Sequence, residues 1–98
     1  MTIEIVRWTI KEGQESAFES AFRKAESYLS KADGHLNHTL SRCLENNRKY
    51  MLRVEWTNLE AHTVGFRKSD LYEKYRSLIK PYYEEGAVLE HYENVSAS

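Results

Sequence analysis

Trp56, His62 and Arg76 are the residues of this 98-residue chain whose types and spacing could do chemistry together. An imidazole at His62 titrates near neutral pH and can take a proton from a bound molecule. Arg76 lies next to Tyr75 and four residues past Tyr72, where a fixed positive charge would stabilise a phenolate or enolate. Trp56 and Trp8 offer flat apolar walls for a ring-shaped ligand. Leu52, Phe66 and Tyr75 share the same inward directions and would complete such a substrate pocket. Each feature has a plainer reading beside it: tryptophans fill ordinary cores, His62 suits a half-exposed helix position, and Arg76 suits a solvated helix face.

Other chemistries lack their parts. His35, His38, His62 and His91 are the four histidines, but none forms an i, i+4 pair or a recognisable ligand set. Alternation along a strand would also put His35 and His38 on opposite faces. No metal site is expected. The lone cysteine, Cys43, excludes an intrachain disulfide and reads as packing. There is no glycine-rich phosphate loop and no nucleophile elbow, so a reaction here would draw on a pocket and no cofactor. With 14 Lys and Arg against 15 Asp and Glu, spread evenly for a net charge of −1, no basic face suits nucleic acid. No apolar run approaches the roughly 20 residues of a membrane span, and "MTIEIVRWTI" lacks the pattern of a signal peptide. The expected location is the cytoplasm.

The elements that must position these residues are legible from periodicity. From Ile3 to Ile10, Val6, Trp8 and Ile10 alternate with Ile3, Ile5, Arg7 and Thr9, which predicts a strand with apolar character on both faces. Ala17, Phe18, Ala21, Phe22, Ala25 and Leu29 recur at helical spacing, and "KADG" supplies a glycine for the exit. A strand from His35 to Leu44 places Leu36, His38, Leu40, Arg42 and Leu44 on one side. "ENNRK" then reads as a turn in which asparagine takes the left-handed conformation. Tyr50 to Trp56 is the third strand, with Leu52, Val54 and Trp56 on one face. Thr57 and Glu60 form a capping-box pattern for a short helix from Asn58 to about Phe66, which gives His62 and Phe66 a common face. Ser69 caps a further helix striped by Leu71, Tyr75, Leu78, Ile79 and Tyr82 and closed by Pro81 and Gly86. A last strand covers about Ala87 to Glu93.

Strand, helix, strand, strand, helix pair, strand is the order of a ferredoxin-like α+β sandwich, a four-stranded antiparallel sheet with helices on one face. Residues 1–95 form a single domain in this reading, and 96–98 form a disordered tail. Ile3 and Ile5 leave the second sheet face too apolar to stay wet, so a homodimer through that face is expected.

"VRWTIKEGQESAFESAFRKAESYLSKADGHLNHTLSRC" with "YMLRVEWTNLEAHTVGFRKSDLYEKYRSLIKPYYEEGAVLEHYENV" resembles an antibiotic biosynthesis monooxygenase (ABM) domain over nearly the whole chain. "RW", "GHLNHTLSRC", "EWTNLEAHTVGFRKS" and "EHYENV" carry the likeness most specifically. The resemblance implies a pair of ferredoxin-like chains forming a dimeric α+β barrel. It also implies a metal- and flavin-free oxygenase acting on an electron-rich aromatic or quinol-like small molecule, whose anion reacts with dioxygen. Trp56 matches the tryptophan that lines the family's site at the end of the third strand, and Arg76 matches an arginine on the last helix. The asparagine four residues before that tryptophan is Leu52 here, and the tyrosine six residues after it is His62. Haem-degrading members carry an Asn, Trp and His set that falls on Val6, on Gly65 or Phe66, and on Arg76; none matches. A non-catalytic dimeric binding or structural module is the alternative function.

Overall fold

The computed structural model describes residues 1–98. Its elements are β1 (Thr2–Thr9), α1 (Glu15–Ser30), β2 (His35–Arg42), β3 (Lys49–Trp56), a π-helical turn (Ala61–Phe66), α2 (Asp70–Ile79), a 3-10 turn (Lys80–Tyr82) and β4 (Val88–Tyr92). The strands form one antiparallel sheet in the order β2-β3-β1-β4. This is the ferredoxin-like α+β fold expected from the order of elements. No helix is long and apolar enough to cross a membrane.

The core lies between one sheet face and the helices because the two periodicities meet there. Val6 and Trp8 of β1 and Leu52, Val54 and Trp56 of β3 are buried against Phe18, Phe22, Ala25 and Leu29 of α1 and Tyr75 and Ile79 of α2. Ser69 caps α2, its hydroxyl accepting from the Tyr72 amide at 3.3 Å, which satisfies one of the free N–H groups of the first turn. On the other sheet face Ile3 and Ile5 are already buried within the single chain, because β1 runs between β3 and β4.

Local chemistry departs from expectation at several places. Thr57 and Glu60 do not make the cap of the short helix; the Asn58 side chain accepts from the Ala61 amide at 2.9 Å. The β2–β3 turn uses no left-handed asparagine, since no residue other than glycine has positive φ. There the Asn46 side chain accepts from the Arg48 amide at 3.0 Å, a local bond that turns the chain in ordinary backbone conformations. Gly34 is not the immediate exit of α1, which ends at Ser30. Its φ of +84° brings the loop so close to the next helix that a Cβ would sit 2.6 Å from Ala61 Cβ. The last strand is shorter than expected, Val88–Tyr92.

The largest departure is in β2. Its register slips between His35 and Asn37, so that His35 faces Trp56, Asn37 faces Glu55 and His38 faces Val54. A bulge of this kind leaves one residue unpaired and reverses the alternation behind it. His35 and His38 therefore share the helix-facing side, contrary to strict alternation, with His35 Nε2 and His38 Nδ1 2.9 Å apart. Leu36 is left half exposed, apart from His38 and Leu40, with which alternation grouped it.

Candidate functional site

Between the sheet and α2 lies a cavity of about 240 Å3. Strand parity supplies its floor: Glu4, Val6 and Trp8 of β1 and Leu52 of β3 point the same way and all line it. The π-helical turn and α2 supply the opposite wall, with His62 and Phe66 from the turn and Tyr72, Tyr75 and Arg76 from α2. The lining residues open to solvent are Arg67, Ala87 and Leu89, which marks the mouth beside β4.

The turn explains how His62 reaches this space. Its i→i+5 bond, from the Arg67 amide to the His62 carbonyl at 3.0 Å, widens the helix and lets His62 and Phe66 both lie over the Trp56 indole. The His62 ring stacks on Trp56 at 5.4 Å and the Phe66 ring packs at 5.6 Å. π-helical turns often occur at functional sites. His62 is only 2 % exposed.

A chain of polar groups runs through the wall. Trp56 Nε1 donates to Glu4 Oε1 at 3.0 Å. Glu4 Oε2 is 3.3 Å from His62 Nε2, and His62 Nδ1 is 2.8 Å from His91 Nε2. Burial raises the Glu4 carboxyl from its ordinary 4.5 to about 7, against the pull of the Trp56 N–H and of Arg67. Burial also lowers His62 from 6.5 to about 4, helped by His91 and Arg67. Desolvation drives both shifts because it disfavours whichever form is charged.

On the facing side burial holds the Tyr75 phenol well above its usual range, with the Glu4 charge adding to the rise. Burial likewise raises Tyr83, which is stacked on Trp8 at 5.6 Å, while the Arg76 guanidinium opposes that rise. Arg67 lies 5.1 Å over the Tyr72 ring. An aromatic cleft with two guanidinium groups and a carboxyl–imidazole pair among its lining residues can hold a planar phenol, take its proton and stabilise the anion.

Among the residues named from sequence, His62, Arg76, Trp8, Leu52, Phe66 and Tyr75 all line this one cavity. Trp56 stands behind the lining, fully buried, with its ring against His62 and its N–H on Glu4. Sequence reasoning overlooked Glu4, although its parity with Val6 and Trp8 put a carboxylate on the core-facing side. His91, weighed only as a metal ligand, stands directly across from Glu4 on β4. A second array, in which His35 bonds to His38 and His38 Nε2 lies 2.8 Å from Glu26 Oε1, sits on the far side of Trp56. No group of three or more His, Cys, Asp or Glu side chains could hold a metal ion.

A ferredoxin-like sheet with an aromatic pocket beneath its helices defines a class of small α+β pocket domains. Residues 1–78 match the family model described as antibiotic biosynthesis monooxygenase, and the chain belongs to that family. It is 42 % identical over 95 residues to the uncharacterized protein YczJ of Bacillus subtilis (strain 168), covering 97 % of this chain and all of that one. Among solved structures, one assigned to the antibiotic biosynthesis monooxygenases from Bordetella bronchiseptica superimposes with a TM-score of 0.92 at 27 % identity, over 97 % of both chains. SnoaB, a cofactor-independent oxygenase from Streptomyces nogalater, has the same fold, with a TM-score of 0.84 at 17 % identity over 98 % of this chain and 94 % of that one.

Proposed function

We propose that the chain is a monooxygenase that oxidises a small phenolic or quinol-like aromatic with dioxygen and no bound cofactor. The observation that carries this reading is the aromatic cavity that has Arg76 and Arg67 among its lining residues and the buried Glu4–His62 pair in its wall. At about 240 Å3 it falls below the ~300–1,000 Å3 of sites for drug-sized ligands. One- or two-ring substrates fit that volume better than polycyclic ones.

The chemistry balances without an added reductant. The phenol O–H gives its proton to the Glu4–His62 pair and keeps the electron pair, and the resulting anion carries high electron density at the para ring carbon. That carbon bonds to dioxygen, and the peroxide takes the proton back. Cleavage of the O–O bond then removes water together with the ring C–H proton, leaving a quinone. One oxygen atom enters the ring, the other leaves as water, and the substrate supplies all four electrons. Arg76 stabilises the anion through its fixed charge, Trp8, Phe66, Leu52 and Tyr75 hold the ring, and Trp56 supports the wall from behind.

Oxygen uptake with a panel of one- and two-ring hydroxyarenes tests the reading. Uptake should fall roughly 100-fold in Arg76→Ala, the order expected on removing one stabilising donor. No uptake across the panel would sink the oxygenase and leave a non-catalytic binding module. We also infer that two chains pair through the open sheet face; light scattering that gives a monomer mass at micromolar concentration would refute this.

A further inference from the structure

We propose that Glu4 is the group that exchanges a proton with the occupant of the cavity, and that His62 and His91 connect this carboxyl to solvent at the β4 edge. The assignment rests on the reading of the cavity as a substrate site, and it divides between named atoms a role that sequence pattern gave to His62 alone.

The placement of the side chains carries the argument. An imidazole has two nitrogens, and at His62 Nδ1 bonds to His91 Nε2 at 2.8 Å while Nε2 lies 3.3 Å from Glu4 Oε2. A ring so placed can receive a proton at one nitrogen and release one at the other. Glu4 lines the cavity and is 5 % exposed, so its protons need a route through the protein once a ligand fills the space. His91 provides the outer end, half-buried on an edge strand.

The groups facing this chain come from every neighbouring element. Trp56 of β3 donates to Glu4, Arg67 after the π-helical turn acts on Glu4, His62 and His91 alike, and Glu4 acts on Tyr75 of α2. Tyr72 and Arg76 of α2 line the same cavity. Among them Glu4, raised by burial to about 7, is the group whose proton is held near neutral pH, while burial holds the Tyr75 phenol well above its usual range.

The proton step is simple. A substrate O–H bond breaks, its electron pair stays on the substrate oxygen, and the proton bonds to a Glu4 carboxylate oxygen. With Glu4 protonated, the carboxyl donates to His62 Nε2 and His62 Nδ1–H donates to His91 Nε2. Release of that proton to solvent from His91 Nδ1 reverses both bonds, so each ring changes from the Nδ1–H to the Nε2–H tautomer while staying neutral.

That tautomer exchange is a signature that a structural hydrogen-bond chain would not give. Nitrogen-15 NMR of the imidazoles and carbon-13 NMR of the Glu4 carboxyl, from pH 6 to 9 on the ligand-free protein, should show both rings switching at the midpoint of Glu4. In Glu4→Gln both rings should keep one tautomer throughout. Rings of fixed tautomer in the wild type, or a Glu4 ionised over the whole range, would overturn the proposal. With an active substrate, His91→Ala should lose turnover that added imidazole restores and an equal concentration of sodium chloride does not; a loss that imidazole leaves untouched counts against the conduit. If no hydroxyarene reacts but the tautomers switch with Glu4, the conduit stands and the oxygenase reading fails.

Discussion

Replacing Glu4 with glutamine should separate two proton equilibria that offset each other in the native chain. Glu4 is raised from 4.5 to about 7, so its contribution to stability is complete below pH 4.5 and is lost as pH rises through 7. His62 is lowered from 6.5 to about 4, so its contribution is complete above pH 6.5 and is lost as pH falls through 4. Between these limits the folded chain holds one proton on Glu4 and the unfolded chain holds one on His62. The two slopes then cancel and this pair leaves stability nearly flat. At ~1.4 kcal/mol per tenfold change in proton affinity, the Glu4 contribution amounts to about 3 kcal/mol. Glutamine keeps an oxygen for the Trp56 N–H, so the fold survives the exchange, but only the His62 slope remains. Urea unfolding of both proteins from pH 4 to 8.5, with equal denaturant slopes, should show Glu4→Gln gaining about 3 kcal/mol on the wild type across the interval, most of it between pH 4.5 and 7. Parallel curves, with a difference constant to within ~0.5 kcal/mol, would show that Glu4 ionises in the folded chain at its ordinary value and would refute the reasoning.

Three further substitutions test the supporting structure. Gly34→Ala must adopt a φ of +84° and place its Cβ 2.6 Å from Ala61 Cβ and 2.7 Å from Thr57 Oγ1; thermal unfolding should register a loss of about 2–3 kcal/mol. Trp56→Phe removes the N–H that holds the Glu4 carboxyl down, so its carbon-13 titration midpoint should move above 7, and an unchanged midpoint would remove Trp56 from the site's electrostatics. Ser69→Ala deletes the cap of α2 and should cost about 1 kcal/mol in chemical denaturation, a value near zero meaning that water replaces the hydroxyl.

The fold was legible in the sequence because its signals are local. Period-two alternation in Ile3–Ile10 and Tyr50–Trp56, helical spacing through Phe18, Phe22, Ala25 and Leu29, and the cap at Ser69 each reveal themselves within a dozen residues, and together they set the order of elements and the face each one buries. Strand and helix parity also pointed Trp8, Leu52, Phe66 and Tyr75 inward, whereas for His62 and Arg76 it left the pocket and the helix surface both open. The bond network of the site was not legible. Whether His35 and His38 meet depends on a bulge that composition does not announce. The juxtaposition of Glu4 with His91 depends on the register of two strands that are more than eighty residues apart in the chain. Only tertiary structure decides such pairings: side-chain direction follows from local backbone geometry, whereas a hydrogen bond between distant elements needs their relative register fixed to within a fraction of an ångström.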